Sequence, residues 1–268
     1  MTTNHNRLIQ KIKEAKKQKQ KLFCAYVTLG FPKLSVTEEL IPALEKAGAD
    51  MIELGFPFSD PLADGPTIQF ASAEAIKKGV KLTDAFALVR RLRKKGLKIP
   101  VLFFSYLNPI MHYGVSRTVR QLKQSGFDGL VVPDLPPEEG AMWEPWFKNA
   151  DLSLVYLIAP TTGENRIRKI AKHSKGFVYY VSLRGVTGMR RSLPSDLVKK
   201  IKLVKRLSRI PVLVGFGVSN EKQAREISQA ADGIIVGSAI VEKLGQRQSI
   251  GPAVSLVSRL ASAIKHGS

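Results

Sequence analysis

Two carboxylates in one stretch of the chain are the residues best suited to chemistry. Glu53 interrupts an apolar run, Met51-Ile52-Glu53-Leu54-Gly55. Asp64 ends the proline-rich loop that follows, Pro57-Phe58-Ser59-Asp60-Pro61-Leu62-Ala63-Asp64-Gly65-Pro66. A glutamate turned into a protein interior loses solvent, holds its proton to higher pH and can exchange it near neutrality. A second carboxylate in a different environment stays ionised, so one can carry protons while the other supplies fixed negative charge. Structural roles compete with this. Glu53 could pair with a nearby lysine, and Asp60 and Asp64 could close Asx turns or cap a helix. Residue type alone leaves both readings open. Tyr106 and Tyr179, at or within strand-like runs, add hydroxyls that suit either a site or a satisfied core position.

Glycine-bearing turns late in the chain suggest where a phosphate would sit. They are GVTG at 185–188, GFG at 215–217, and Gly237-Ser238, which opens the short apolar run AIVEKL. Glycine lets backbone N–H groups approach an anion closely, and a following helix N-terminus adds a favourable dipole. There is no G-x-x-x-x-G-K-[ST] motif, which argues against a nucleoside triphosphatase. His5, His112, His173 and His266 show no metal spacing. The single cysteine, Cys24, lies in a strand-like run, reads as a buried inert thiol and fits a reducing, cytoplasmic setting.

These residues are spaced out by alternating short β-branched runs and longer amphipathic ones, the pattern of repeated βα units. Eight strands are expected, over 22–28, 51–54, 101–106, 129–132, 154–158, 177–181, 212–215 and 233–236. Helices are expected over 36–47, 82–95, 115–125, 137–149, 194–207 and 220–230, with Thr37 as an N-cap and Gly48 as a stop. The phrases AGADMIEL, SGFDGLVV and AADGIIVG repeat one αβ joint. No G-x-G-x-x-G follows the first strand, as a doubly wound sheet would favour, and functional-looking residues recur after nearly every strand. Both features favour a (β/α)8 TIM barrel whose loops meet at one face. Residues 1–21 form an extra basic N-terminal helix whose Leu8, Ile9, Ile12 and Ala15 cap the other end. The whole chain, 1–268, reads as a single domain.

The 42 Lys and Arg against 22 Asp and Glu give a net charge of +20. The densest clusters, at 16–21, 90–95 and 199–206, fall on or beside expected outer helices with no nucleic-acid-binding signature. They read as solvated faces rather than a nucleic-acid footprint. No uncharged apolar run reaches the ~20 residues that cross a bilayer, and the N-terminus lacks the apolar core of a secretory signal.

The chain closely resembles the tryptophan synthase alpha chain. The resemblance covers essentially all of it and is most specific in IELGFPFSDPLADGPTIQ at 52–69. It is supported by YVTLGFP at 26–32, SYLNPI at 105–110, VVPDLPPEE at 131–139, YYVSLRGVTG at 179–188, VGFGVS at 214–219 and VGSAIV at 236–241. It implies retro-aldol cleavage of indole-3-glycerol phosphate to indole and glyceraldehyde 3-phosphate. Glu53 would shuttle protons, Asp64 would stabilise the cationic indole, and Tyr179 would lie beside the glutamate. Gly188, Phe216, Gly217, Gly237 and Ser238 match phosphate-binding positions, and Tyr26, Tyr106, Val131 and Leu157 match the indole pocket. The resemblance further implies a beta-chain partner in an alpha2-beta2 tetramer. Pyridoxal phosphate would be carried by that partner and no cofactor by this chain. Asp60 and Thr187, the latter in a lid at 185–193, would couple the two. Leu183-Arg184, Met189-Arg190-Arg191 and Phe31 depart from the usual pattern and bear on the lid and its coupling. A non-catalytic allosteric activator of the beta chain is the alternative. An indole-glycerol phosphate synthase or a sugar-phosphate epimerase would need catalytic lysines or a metal set not found here.

Overall fold

The computed structural model describes residues 6–181, 195–215, 217–247 and 249–265. Its strands are β1 (Leu22–Thr28), β2 (Met51–Gly55), β3 (Val101–Phe104), β4 (Gly129–Val131), β5 (Ser153–Val155), β6 (Leu157–Ile158), β7 (Val178–Val181), β8 (Val212–Gly215) and β9 (Gly233–Val236). Every pairing is parallel, and the order is β5-β4-β3-β2-β1-β9-β8-β7-β6. Only Tyr156 separates the two ends of that order, so the sheet closes into a barrel. The strand expected at 154–158 is therefore present but hands over between neighbours. Residues 153–155 pair with β4, and 157–158 pair with β7. Counted as one, β5 and β6 restore the eight strands expected.

Helices cover the outside, and several expectations need correcting. The helix expected over 137–149 is two short ones, Pro137–Gly140 and Glu144–Asn149. Pro145 lacks an N–H and its ring clashes with the carbonyl four residues back, so it is tolerated only in a first turn. Thr37 is not an N-cap. It lies inside helix Leu34–Lys46, where its hydroxyl accepts from the Gly30 N–H at 3.0 Å and donates to the Lys33 carbonyl at 3.4 Å. Gly48 does end that helix, in the positive-φ conformation glycine favours (φ 99°). Helices Pro66–Lys77, Leu107–Tyr113, Glu164–His173 and Gly251–Lys265 come in addition to those expected.

The N-terminal helix, Arg7–Lys17, buries Leu8, Ile12 and Ala15. Asn6 caps it by accepting from the Leu8 and Ile9 N–H groups. The Asn6 amide also donates to the carbonyls of Asp128 (2.7 Å) and Asp151 (2.8 Å), tying the helix to the roots of β4 and β5. These bonds place it at the end opposite the loops that carry Asp64 and Ser238.

The repeated αβ joint has a physical purpose at that closed end. Asp50 donates its N–H to the Phe23 carbonyl (2.8 Å) and accepts the Phe23 N–H on its carboxylate (2.9 Å). Asp128 does the same with Val101 (2.9 Å and 2.9 Å), and Asp232 with Val212 (3.0 Å and 3.0 Å). Each carboxylate also meets a cation: Lys265 at 3.0 Å, Arg93 at 2.8 Å with Arg7 at 3.1 Å, and Lys205 at 2.6 Å. Each aspartate thus staples the root of its own strand to the strand before it.

Candidate active site

At the open end the strands deliver their inward-facing side chains to one cleft. Register places Tyr26 of β1 opposite Glu53 of β2, and Leu157 of β6 opposite Tyr179 of β7. Side chains alternate along a strand, so Cys24, Tyr26 and Thr28 share the face that meets Glu53 and Gly55. Val131 lies in register with Phe104, whose ring meets Tyr26 edge-on at 5.7 Å. Tyr106 stacks on Phe58 at 5.3 Å and meets Phe104 edge-on at 6.0 Å. The four residues expected to line an indole pocket (Tyr26, Tyr106, Val131 and Leu157) thus lie on the strands and strand ends around Glu53. Phe58 and Phe104 extend that wall, though the sequence did not single them out.

Glu53 is 1% exposed, and neither carboxylate oxygen has a hydrogen-bond partner among the described residues. Burial first, and then the charge of Asp64, raise its pKa to about 8. Asp64 sits at the rim, where the Tyr106 hydroxyl donates to its carboxylate at 3.0 Å. That hydroxyl in turn accepts the Ala63 N–H at 3.0 Å, which pins the loop. Burial lifts Asp64 to about 6, and the Tyr106 bond pulls against that rise. The Tyr26 and Tyr179 phenols are pushed well above their usual range, chiefly by burial. The charge that adds most to this is Asp64 for Tyr26 and Glu53 for Tyr179. Among the described residues no cation bonds to the Glu53 carboxylate. The alternative of a Glu53–lysine pair is thereby answered.

Two glycines make room for the phenols. A Cβ on Gly55 would lie 2.2 Å from the Tyr26 hydroxyl, and one on Gly215 would lie 2.6 Å from the Tyr179 ring. Neither position accepts a side chain without moving a phenol.

Of the expected phosphate positions, Gly237 lies at the end of β9, against the Tyr26 ring, and Ser238 opens helix Ser238–Arg247. The first N–H groups of a helix have no partner within it, so this end presents donors and a positive dipole beside the cleft. A Cβ on Gly217 would meet nothing within 4 Å, so there the chain lies in the open. Gly188, Phe216 and Thr187, with the rest of the lid expected at 185–193, lie outside the described residues. The Asp60 carboxylate accepts from the Ser59 hydroxyl at 2.5 Å in the exposed part of the same loop as Asp64.

The tryptophan synthase alpha chain family model matches residues 12–265. The chain belongs to that family. It is 44% identical over 241 residues to the tryptophan synthase alpha chain of Chloroflexus aggregans, covering 89% of this chain and 90% of that one. It is 40% identical to the Geobacter sp. (strain M21) protein, covering 98% and 97%. Among solved structures it resembles tryptophan synthase of Mycobacterium tuberculosis (34% identity, TM-score 0.89, 97% of this chain and 98% of that one). The alpha subunit from Legionella pneumophila str. Paris gives the same identity, score and coverage. Members of the family are indole-3-glycerol-phosphate lyases, and that is the activity of this chain. The family carries no cofactor of its own, pyridoxal phosphate belonging to the beta chain. Among the described residues no helix is long and apolar enough to cross a membrane.

Proposed function

We propose that Glu53 is the proton carrier of the retro-aldol cleavage and Asp64 its fixed counter-charge. The observation that supports this is the contrast in surroundings. Glu53 is buried with no hydrogen-bond partner among the described residues, while Asp64 accepts from the Tyr106 hydroxyl at the rim. That contrast raises the first to about 8 and the second only to about 6. At neutral pH the first holds a proton to give and the second is mostly ionised. Glu53 gives its proton to indole C3, which leaves positive charge towards the ring nitrogen. Asp64 accepts the indole N–H and offsets that charge. The bond from C3 to the side chain then breaks and its electron pair returns to the ring. The hydroxyl on the released carbon passes its proton back to Glu53 as it becomes the aldehyde. Protons and electrons balance with no outside reactant. The N-terminus of helix Ser238–Arg247, with Gly217, Gly237 and the unplaced Gly188 and Phe216, takes the phosphate. Tyr179 lies beside the glutamate, and Tyr26, Tyr106, Val131 and Leu157 enclose the indole.

The same reading gives the chain a beta-chain partner, in an alpha2-beta2 assembly that receives the indole. Leu62, Met111 and Met142 support it, being 93%, 57% and 71% exposed on the segments after β2, β3 and β4. Three successive segments at one end, the first of them the Asp60 loop, thus present apolar side chains to solvent. Asp60 and Thr187 would carry the coupling. We place the enzyme in the cytoplasm, as one barrel domain over 1–268.

Indole release from indole-3-glycerol phosphate by the purified chain, with and without a beta chain, tests the reading. Glu53→Gln should fold with a melting temperature no lower than that of wild type and lose about a hundredfold or more in rate. Normal turnover by this variant would remove Glu53 from the mechanism. A wild-type chain that never releases indole, yet stimulates the beta chain's own reaction, would be an activator instead.

A further inference from the structure

Tyr26 holds a polar group where a pocket wall for a flat apolar ring needs none. Its ring is fixed on three sides, by Phe104 edge-on at 5.7 Å, by the backbone at Gly237, and by the gap over Gly55. The phenol tip occupies that gap. Gly55 lies two residues beyond Glu53 on the same face of β2, towards the open end, so the hydroxyl sits just above the carboxylate that moves the proton. Thr28, two residues on along β1, brings its hydroxyl close but makes no hydrogen bond of normal geometry.

The charged and titratable groups facing the phenol are Asp64 from the loop after β2, Glu53 from β2, Tyr106 from the segment after β3 and Tyr179 from β7. Burial first, and then the charges of Asp64 and Glu53, raise its pKa, so it keeps its proton through the working range and can only donate or accept a hydrogen bond. A buried donor above the proton carrier is placed for an oxygen that gains negative charge during reaction.

We propose that the Tyr26 hydroxyl is a catalytic donor that binds the side-chain oxygen of the substrate from which Glu53 takes its proton. This rests on the assignment of Glu53 above. As the carbon–carbon bond breaks, that oxygen passes from hydroxyl to carbonyl with alkoxide character between. The phenol's hydrogen bond to it is strongest in that alkoxide-like state, and the phenol does not transfer its own proton. The bond also fixes the hydroxyl towards Glu53, so Tyr26 selects substrates bearing a hydroxyl on the carbon next to the ring.

Tyr26→Phe removes the oxygen and leaves the ring in its slot. Its kcat should fall roughly a hundredfold, the low end of what one preorganised donor contributes. KM should change little, and both limbs of the pH profile should stay where they are. The analogue that joins indole to phosphate through three carbons without hydroxyls should bind wild type and variant with equal Kd. An unchanged kcat would overturn the proposal. So would an equal loss of analogue affinity, or a displaced pH limb, since either means the phenol acts by packing or through Glu53. If wild type itself fails to turn over, the assignment of Glu53 fails instead.

Discussion

The two ends of this barrel use carboxylates in opposite ways. At the closed end Asp50, Asp128 and Asp232 each accept a backbone N–H and each meet at least one cation within 3.0 Å. At the open end Glu53 has no hydrogen-bond partner for either oxygen among the described residues, and Asp64 has one tyrosine hydroxyl. Satisfying a buried charge fixes it in one state, which stabilises structure. Withholding partners lets a carboxyl take and release a proton near neutral pH, at a cost in stability. The difference lies in what surrounds the carboxylate, and residue type alone does not reveal it.

The sharpest way to break the comparison is to treat the closed end as the open end is treated. Asp128→Ala leaves Arg93, 11% exposed, without its carboxylate and frees the N–H of Val101. It should cost about 3–5 kcal/mol in chemical denaturation. A loss under 1 kcal/mol would show that the staple carries little.

The converse concerns Glu53. Its pKa is raised from 4.5 in the unfolded chain to about 8 in the fold, so the native state binds the extra proton between those values. Its contribution to stability therefore falls as pH rises from about 4.5 to 8, and the penalty is complete above 8. Glu53→Gln removes the penalty. Relative to wild type it should gain on the order of 2–4 kcal/mol between pH 5 and pH 9, read as diverging melting temperatures. Parallel melting curves would mean that Glu53 titrates normally.

A smaller test uses Lys265, the one cation placed on Asp50 among the described residues, whose side chain is 20% exposed. Lys265→Met leaves the bond from Phe23 to Asp50 in place, so it should cost only about 1 kcal/mol and leave indole release unchanged. A drop in turnover would show that the closed end reaches the chemistry.

Much of this was readable from residue order. Strands β1, β8 and β9 fall at their expected bounds, because Asp, Gly, Pro or Lys punctuate each apolar run. The handover at Tyr156 was hidden, because 154–158 is evenly apolar and register is a property of neighbours. Helix Glu164–His173 escaped notice because only Ile167, Ile170 and Ala171 are buried in an otherwise charged stretch. In the site, Glu53 and Asp64 stood out by type and position. The bond from Tyr106 to Asp64 did not, since it joins residues 42 apart through the folding of a loop. The repeated Asp was visible as a pattern, yet its role needed the cations that reach it from helices elsewhere in the chain.

The three staples are not alike in reach, and that bears on how such a chain can be recombined. Asp232 draws Lys205 and Val212 from one contiguous segment, and Asp128 draws Arg93 and Val101 from another, with Arg7 of the N-terminal helix reaching it besides. Such a segment can be exchanged with its counterpart from a relative and bring most of its own fastening along. Asp50 instead takes its cation from the end of helix Gly251–Lys265, 215 residues away. A chimera with a foreign C-terminus, or a chain shortened there, loosens its own beginning.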